Sequence, residues 1–434
     1  MGCLEAALRA AEPTRIMRSI LSLTGSKLHV KGRDYDLSRF DRVFVVGGGK
    51  AAASMATSLE KLLRDRITEG YVNIPRGAGS RIKTQRIKLN EASHPIPDKS
   101  GLNGVRRMLD ILKDVTSRDL VICLLSGGAS ALMPYPIRGI TLRDKQLMTE
   151  IMLKSGSTIN ELNCVRKHLS YVKGGGLARA AFPATILTLA LSDVVGDPMD
   201  TIASGPTSPD PSTFASAIQI LKNRKVWKIV PESVKKVLRE GVSGKISETP
   251  KQGDEVFRKV SNMIMGNNRT VCTAAAEHAE SLGAQAIFLT SLLEGEAKEV
   301  GIVISAIPRE LAMNRTGLKK PTAVIMGGET TVEVRGNGLG GRNQEMMLCA
   351  SIKLERCEGI AVASIGTDGL DGNTPAAGAI VDGYTVRRAR AAGMEPASFL
   401  WKNDSYRFFM KLRDAIITGP TGTNLNDVTV ATVA

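Results

Sequence analysis

Residues Val43 to Leu63 read VFVVGGGKAAASMATSLEKLL. A short run of β-branched and aromatic residues is broken by three glycines and a lysine. Met55, Leu59, Leu62 and Leu63 then recur at the spacing of one helix face. The pattern predicts a strand, a tight turn and a helix, with Lys50 in the turn or at the helix start. A lysine there opposes the helix dipole, and this mild misfit points to an anion nearby. The stretch is not a Walker A loop, because G-x-x-x-x-G-K-[ST] is absent and Ala51 follows the lysine. Gly47, Gly49 and Ala52 do satisfy G-x-G-x-x-A. The acid about twenty residues on is Glu69, however, at the start of the next candidate strand (Tyr71 to Ile74). That is the wrong end for holding a ribose.

The same device recurs along the chain. Leu120 to Leu125 stops at Ser126-Gly127-Gly128, Ile186 to Leu191 at Ser192-Asp193, Ala323 to Met326 at Gly327-Gly328-Glu329, and Ile360 to Ile365 at Gly366-Thr367-Asp368-Gly369. Unbroken apolar runs of this length read as parallel strands buried on both faces, and open α/β sheets bind ligands at the carboxyl ends of their strands. The prediction is therefore α/β, with functional residues at these five turns. A chain of 434 residues suffices for two domains with full cores. The polar, glycine- and proline-bearing stretch from Glu240 to Asp254 is the candidate boundary, giving domains at 1–250 and 251–434.

Composition narrows the function classes. Hydrophobic residues make up 43% and charged residues 23%, which is ordinary for a soluble globular protein. The apolar runs are too short to span a bilayer and no signal-peptide core opens the chain, so a cytoplasmic protein without a membrane partner is expected. Met1-Gly2-Cys3 lacks the hydroxyl at position 6 that a myristoylation signal needs, since Ala6 stands there. The six cysteines form no C-x-x-C pair and read as reduced core thiols. The net charge of +15 is spread without a polybasic tract, and aromatic residues are 4%, which argues against nucleic acid and for small anionic ligands.

Several segments supply groups for such ligands. Ser126, Gly127, Gly128 and Ser130 lie between a strand and a helix, where backbone amides and hydroxyls can approach phosphate oxygens. In NELNCVRKHLSYVKGGGLA, Leu162, Val165, Leu169 and Val172 form one helical stripe, while Asn163, Arg166, Ser170 and Lys173 share another face that could hold a substrate carboxylate. Residues 336–345 read GNGLGGRNQE, a glycine cluster ending in Arg342 at the head of a predicted helix. There the guanidinium would stand beside bare backbone amides and grip an anion at two points. Asp193, Asp197, Asp200 and Asp210 follow one strand, and Asp368 and Asp371 another. Carboxylates at strand ends are usual magnesium anchors, with Asp193 favoured. His94, in SHPIPD, reads as a structural turn histidine.

Cations, glycine amides and carboxylates without a Ser/His/Asp order or a zinc set match phosphoryl transfer, in which the protein positions a nucleotide and neutralises charge. Eight segments, VVGGGKAAASMA, SHPIPD, LLSGGASALM, NCVRKHLSYVKGGGLA, LALSDVVGDPMDTIASGPTSPD, MGGETTVEVRGNGLGGRNQE, SIGTDGLDGNTPAAGA and TGPTGTNLND, together resemble the glycerate 2-kinase family of MOFRL-containing kinases, in order and over nearly the whole chain. The resemblance implies ATP- and Mg2+-dependent phosphorylation of D-glycerate at its 2-hydroxyl. It also implies a Rossmann-like N-terminal domain with a mainly parallel sheet, a second α/β domain, and an active site in the cleft between them. The family's catalytic lysine falls on Lys50 and its GGRNQE arginine on Arg342. Its SGG turn falls on Ser126 to Gly128, its LSD aspartate on Asp193 and its GGET glutamate on Glu329. One departure is Pro375, where relatives carry an aspartate. It leaves Asp368 and Asp371 as the acids of that loop.

The resulting expectation has ATP held by Ser126, Gly127, Gly128, Ser130, Gly327, Gly328, Glu329, Gly340 and Gly341, and the substrate by Asn163, Arg166 and Lys173. Magnesium is expected on Asp193 and Asp368, with Lys50 and Arg342 stabilising the transferring phosphoryl group from opposite domains. A monomer or homodimer acting on small molecules fits. Two other readings stay open: an NAD(P)-dependent hydroxypyruvate reductase, through the G-x-G-x-x-A turn, and an anion-binding module without turnover.

Overall fold

The structure is a computed structural model, and it describes all residues except Arg81, Asn314 to Thr316 and Lys319. The chain divides into two compact units. The first comprises Ile16–Ser192 and Asp197–Met265, and the second Met1–Arg15, Asp193–Gly196 and Gly266–Ala434. The division expected at 250/251 thus moves to Met265/Gly266, because the segment after the polar stretch runs into one more strand of the first unit's sheet. The first fifteen residues and the tetrapeptide at Asp193 also belong with the second unit.

The first unit opens with a small antiparallel sheet of β1 (Leu21–Thr24), β2 (Lys27–Val30) and β3 (Arg33–Asp36). Its main sheet contains β4 (Arg42–Gly48), β5 (Glu69–Pro75), β6 (Ile87–Ala92), β7 (Asp119–Leu125), β8 (Thr185–Leu191) and β9 (Val260–Gly266), in the order β6-β5-β4-β7-β8-β9. The pairings from β6 through β8 are parallel. This is the doubly wound dinucleotide-binding order, whose reversal point lies between β4 and β7. All seven residues of β7 are buried, as an unbroken apolar run requires in a sheet covered on both faces. The helix after β4 spans Ala52–Leu63 and buries Met55, Leu59 and Leu63.

The sheet of the second unit is mixed. It contains β10 (Gln285–Leu293), β11 (Thr322–Gly328), β12 (Ile360–Gly366), β13 (Gly378–Asp382), β14 (Ala415–Ile416) and β15 (Asp427–Val433), in the order β10-β11-β15-β12-β13-β14. β10 and β11 are parallel, whereas β15 runs antiparallel between β11 and β12. The carboxyl ends of β11 and β12 therefore flank the amino end of β15: Gly328 pairs with Asp427 and Gly366 pairs with Asp427 from the other side. A C-terminal strand inserted this way delivers its first residue to the edge where the other two strands end. Among the described residues, no helix is long and apolar enough to cross a membrane, and all six cysteines are free.

Candidate active site

In the first unit, the turns after β4 and β7 interlock at the reversal point. Lys50 donates its backbone N–H to the Gly127 carbonyl (2.8 Å), Ser126 donates its own to Gly48 (3.3 Å), and Ala51 N–H donates to Ser126 Oγ (3.0 Å). Glycine is obligatory at two points. Gly47 and Gly49 adopt φ of 141° and 143°, and a Cβ on them would lie 2.0 Å from the Leu124 carbonyl oxygen and 2.1 Å from Ser126 Oγ. Two predicted site elements thus become one. His94 joins them: its ring stands 2.9 Å from where a Gly128 Cβ would be, and the Lys50 side chain is next to it. Burial and the neighbouring Lys50 charge both hold the His94 pKa below its ordinary value. The turn histidine of the sequence reading thus sits at the switch point itself.

A second group of predicted residues meets the same turn. Ser130 Oγ lies 2.8 Å from Ser204 Oγ, Ser204 donates to Asn163 Oδ1 (2.9 Å), and Lys173 Nζ donates to the Ser130 carbonyl (2.8 Å). The expected helical face is corrected in detail. The helix spans Ile159–His168, so Ser170 and Lys173 lie in the turn beyond it, and the apolar stripe continued past the helix end because that turn is itself buried. Nor is the face solvated: Asn163 and Lys173 are each 2% exposed. Lys145, a helix lysine with no distinguishing sequence signal, is buried beside them and donates to the Leu169 carbonyl (3.1 Å). Burial and the Arg166 charge bring Lys145 down to about 7, and burial with Lys145 and Arg166 depresses Lys173 strongly. Arg166 is itself lowered to about 10 by burial. None of these three cations forms an ion pair with a carboxylate among the described residues. A buried cluster of one sign stores repulsion that an incoming carboxylate or phosphate relieves.

The acids of the LSD segment separate. Asp200 and Asp210 are structural: Lys167, 4% exposed, lies 3.1 Å from Asp200 and 3.3 Å from Asp210. Asp193 goes with the second unit, where it is one of the charges acting on Glu329.

In the second unit, the helix Arg342–Lys353 begins where expected, but its amides are not bare. Asp371 accepts from Asn343 N–H (3.1 Å) and Gln344 N–H (2.8 Å), so the chain's own carboxylate occupies the anion position. This removes Asp371 from the metal candidates. It also explains Gly341, whose Cβ would sit 2.4 Å from the Asp371 carboxylate. A Cβ on Gly340 would strike Ser405 Oγ at 2.3 Å, so close packing accounts for both glycines. Gly327 and Gly328 are likewise set by close approach, to Asn268 and to the Leu293 backbone.

Arg342 faces carboxylates of the strand ends. Its Nε and Nη2 donate to Asp427 (2.5 and 2.9 Å), and Nη1 lies 3.0 Å from Glu329. Burial alone would lower its pKa, but Asp427 and Glu329 hold it above its usual value. Burial raises Glu329 to about 7; Arg342 opposes this, and Asp427, Asp193 and Asp368 add to it. Asp427, which sequence reading passed over inside NLND, is pushed up by burial, against Arg342. No group of three or more His, Cys, Asp or Glu placed to hold a metal occurs among the described residues. Glu329 is nevertheless acted on by Asp427, Asp193 and Asp368, a gathering of oxygen donors at one place. Oxygen donors of this kind are what a hard divalent cation takes, one or two carboxylates beside a ligand's phosphates.

The chain matches two family models: residues 1–239 match a domain of unknown function (DUF4147), and residues 322–427 match the MOFRL family. It is 41% identical to the glycerate 2-kinase of Pyrococcus horikoshii over 98% of this chain and 95% of that protein. The crystal structure of a glycerate kinase from Thermotoga maritima superposes with a TM-score of 0.87 at 40% identity, covering 100% of this chain and 98% of the other. A relative from Agrobacterium vitis, 39% identical over 89% of this chain and 86% of its own length, is provisionally named a hydroxypyruvate reductase. With these matches spanning both units and their strand-end turns, the chain belongs to the glycerate 2-kinase family.

Proposed function

We propose that the protein is a glycerate 2-kinase, transferring the γ-phosphoryl group of ATP to the 2-hydroxyl of D-glycerate. The observation that carries this reading is the interlocked pair of turns at the sheet's reversal point, Gly47–Lys50 against Ser126–Gly128, in a chain of this family. Close-set glycine backbone and a half-exposed lysine at that point suit the phosphates of a nucleotide. The half-buried Arg166 and the buried Lys173, with Asn163 beside them, suit the substrate carboxylate, and Lys145 adds to their field. Lys50 and Arg342 are the proposed catalytic cations. The guanidinium keeps N–H groups to spare after its bonds to Asp427 and Glu329, so its planar fork can still meet a phosphoryl oxygen.

Magnesium is proposed on Asp193 and Asp368, with Glu329 near them. When bound, it would neutralise phosphate charge. Free cysteines throughout fit a reducing, cytoplasmic setting. The reductase reading gains no ribose contact from the fold, because Glu69 is the first residue of β5, at the end away from the reversal-point turns.

The deciding experiment incubates the purified chain with D-glycerate, ATP and Mg2+ and follows the phosphorus NMR spectrum, with NADH oxidation by hydroxypyruvate run in parallel. A 2-phosphoglycerate resonance is expected. NADH turnover without that resonance would replace the kinase by the reductase.

A further inference from the structure

The first unit contains a cavity of about 1110 Å³ whose walls include neither Lys50 nor Ser126–Gly128. Its apolar side is built from residues such as Ile137, Val237 and Ile246, and it carries a tilted ring pair, Tyr135 and Tyr171, with centroids 5.7 Å apart. The cationic lining divides in two. Lys167, His168 and Lys236 are answered by Asp200 and Asp210, by Glu248, and by Glu240. Arg138, Lys173, Arg179 and Lys245 form no ion pair with any described residue, and the lone carboxylate in the lining, Glu240, is already opposite Lys236. An apolar, ring-bearing wall with surplus positive charge fits a ligand that has a planar body and a multivalent anionic end.

We propose that this cavity binds a nucleoside phosphate in addition to the donor nucleotide, its phosphates on Arg138, Arg179 and Lys245 and its ring system against Tyr135 and Tyr171. Lys173 is left to the catalytic turn. Lys173 Nζ donates to the carbonyl of Ser130, two residues past Gly128.

The test uses the full chain with ADP as probe, by equilibrium dialysis, beside the Arg179→Ala/Lys245→Ala variant. Both substituted residues are exposed and stand outside the proposed catalytic machinery. The parent should bind two equivalents of ADP and the variant one, with kcat and the KM for ATP unchanged by the substitutions. Inorganic pyrophosphate should displace the second equivalent with affinity about tenfold lower than ADP, a gap of roughly 1.4 kcal/mol. Equal stoichiometry in parent and variant overturns the proposal. A tenfold rise in the KM for ATP overturns it in another way, by making the cavity the donor site. Displacement by pyrophosphate as strong as by ADP overturns the recognition of a nucleoside. The result is separable from the kinase reading, because loss of the second equivalent is scored by binding, whatever acceptor is phosphorylated.

Discussion

Replacing Arg342 with Ala should damage folding and turnover together, and the folding damage should depend on pH. The guanidinium is the sole cation answering Asp427 at 2.5 and 2.9 Å and Glu329 at 3.0 Å among the ion pairs of the described residues. Removing one member of a buried, hydrogen-bonded ion pair costs about 3 to 5 kcal/mol, because the remaining charge stays buried without compensation. That cost is capped by protonation. Burial already lifts both carboxyls above their ordinary values, Glu329 to about 7, and losing the arginine lifts them further. A carboxyl whose folded pKa exceeds its unfolded one makes the folded state bind more protons, so stability falls as pH rises through that interval. The variant's deficit should therefore be largest near pH 8 and shrink by about 2 kcal/mol near pH 5.5, discounted because the Glu329 side chain is 39% exposed. For a unit of this size each kcal/mol corresponds to roughly 2 to 4 °C of Tm. Thermal unfolding of parent, Arg342→Ala and Arg342→Ala/Asp427→Asn at both pH values reads the effect, with the double variant recovering most of the alkaline loss. The kcat for phosphoryl transfer, measured on folded protein, should fall at least about a hundredfold. A deficit below about 1 kcal/mol that is flat with pH refutes the ion-pair argument, and normal turnover refutes the catalytic one.

Other perturbations separate catalysis from architecture. Lys50→Ala should cut kcat by about two orders of magnitude or more while Tm moves by no more than a few degrees, as a half-exposed turn residue allows; equal losses in both would make the lysine structural. Gly49→Ala should lower stability by about 2 kcal/mol or more in chemical denaturation, since its φ of 143° is strained for alanine and the new Cβ strikes Ser126 Oγ. Lys173→Met should keep or raise Tm, because it removes a buried cation without a carboxylate partner, yet raise the KM for glycerate about tenfold or more. A lower Tm with unchanged KM would assign the lysine to folding alone. His168, whose ring nitrogen lies 2.9 Å from Glu248, is disfavoured as a cation by burial, but Cys164 and Glu248 raise it to about 9, while Glu248 falls to about 2. Stability from the histidine is thus complete below about pH 6.5 and is lost as pH rises toward 9. His168→Gln should flatten that decline in a Tm-versus-pH profile, and an unchanged slope would remove the pair from the account.

The parts of the fold visible in the sequence are those written locally. Val43 to Val46, Leu120 to Leu125 and Ile360 to Ile365 announce strands because a strand buried on both faces must be apolar at every position, and the glycines behind them mark turns whose φ a side chain would oppose. Asp427 announced nothing, because an aspartate before a strand is an ordinary turn residue. Its meaning comes from β15 inserting antiparallel between β11 and β12, a pairing across more than sixty residues. Lys145 and Lys167 look like surface lysines, and only tertiary packing buries them. Arg342 is the most instructive case. Helix-start amides beside an arginine are a sound recipe for an anion site, yet a folded chain supplies its own anion wherever one can reach: Asp371 takes the amides, and Asp427 with Glu329 takes the guanidinium. The arginine is thereby fixed in one orientation before any ligand arrives. A phosphoryl group would meet a donor whose ordering cost was met during folding, which is the electrostatic preorganisation that phosphoryl transfer rewards.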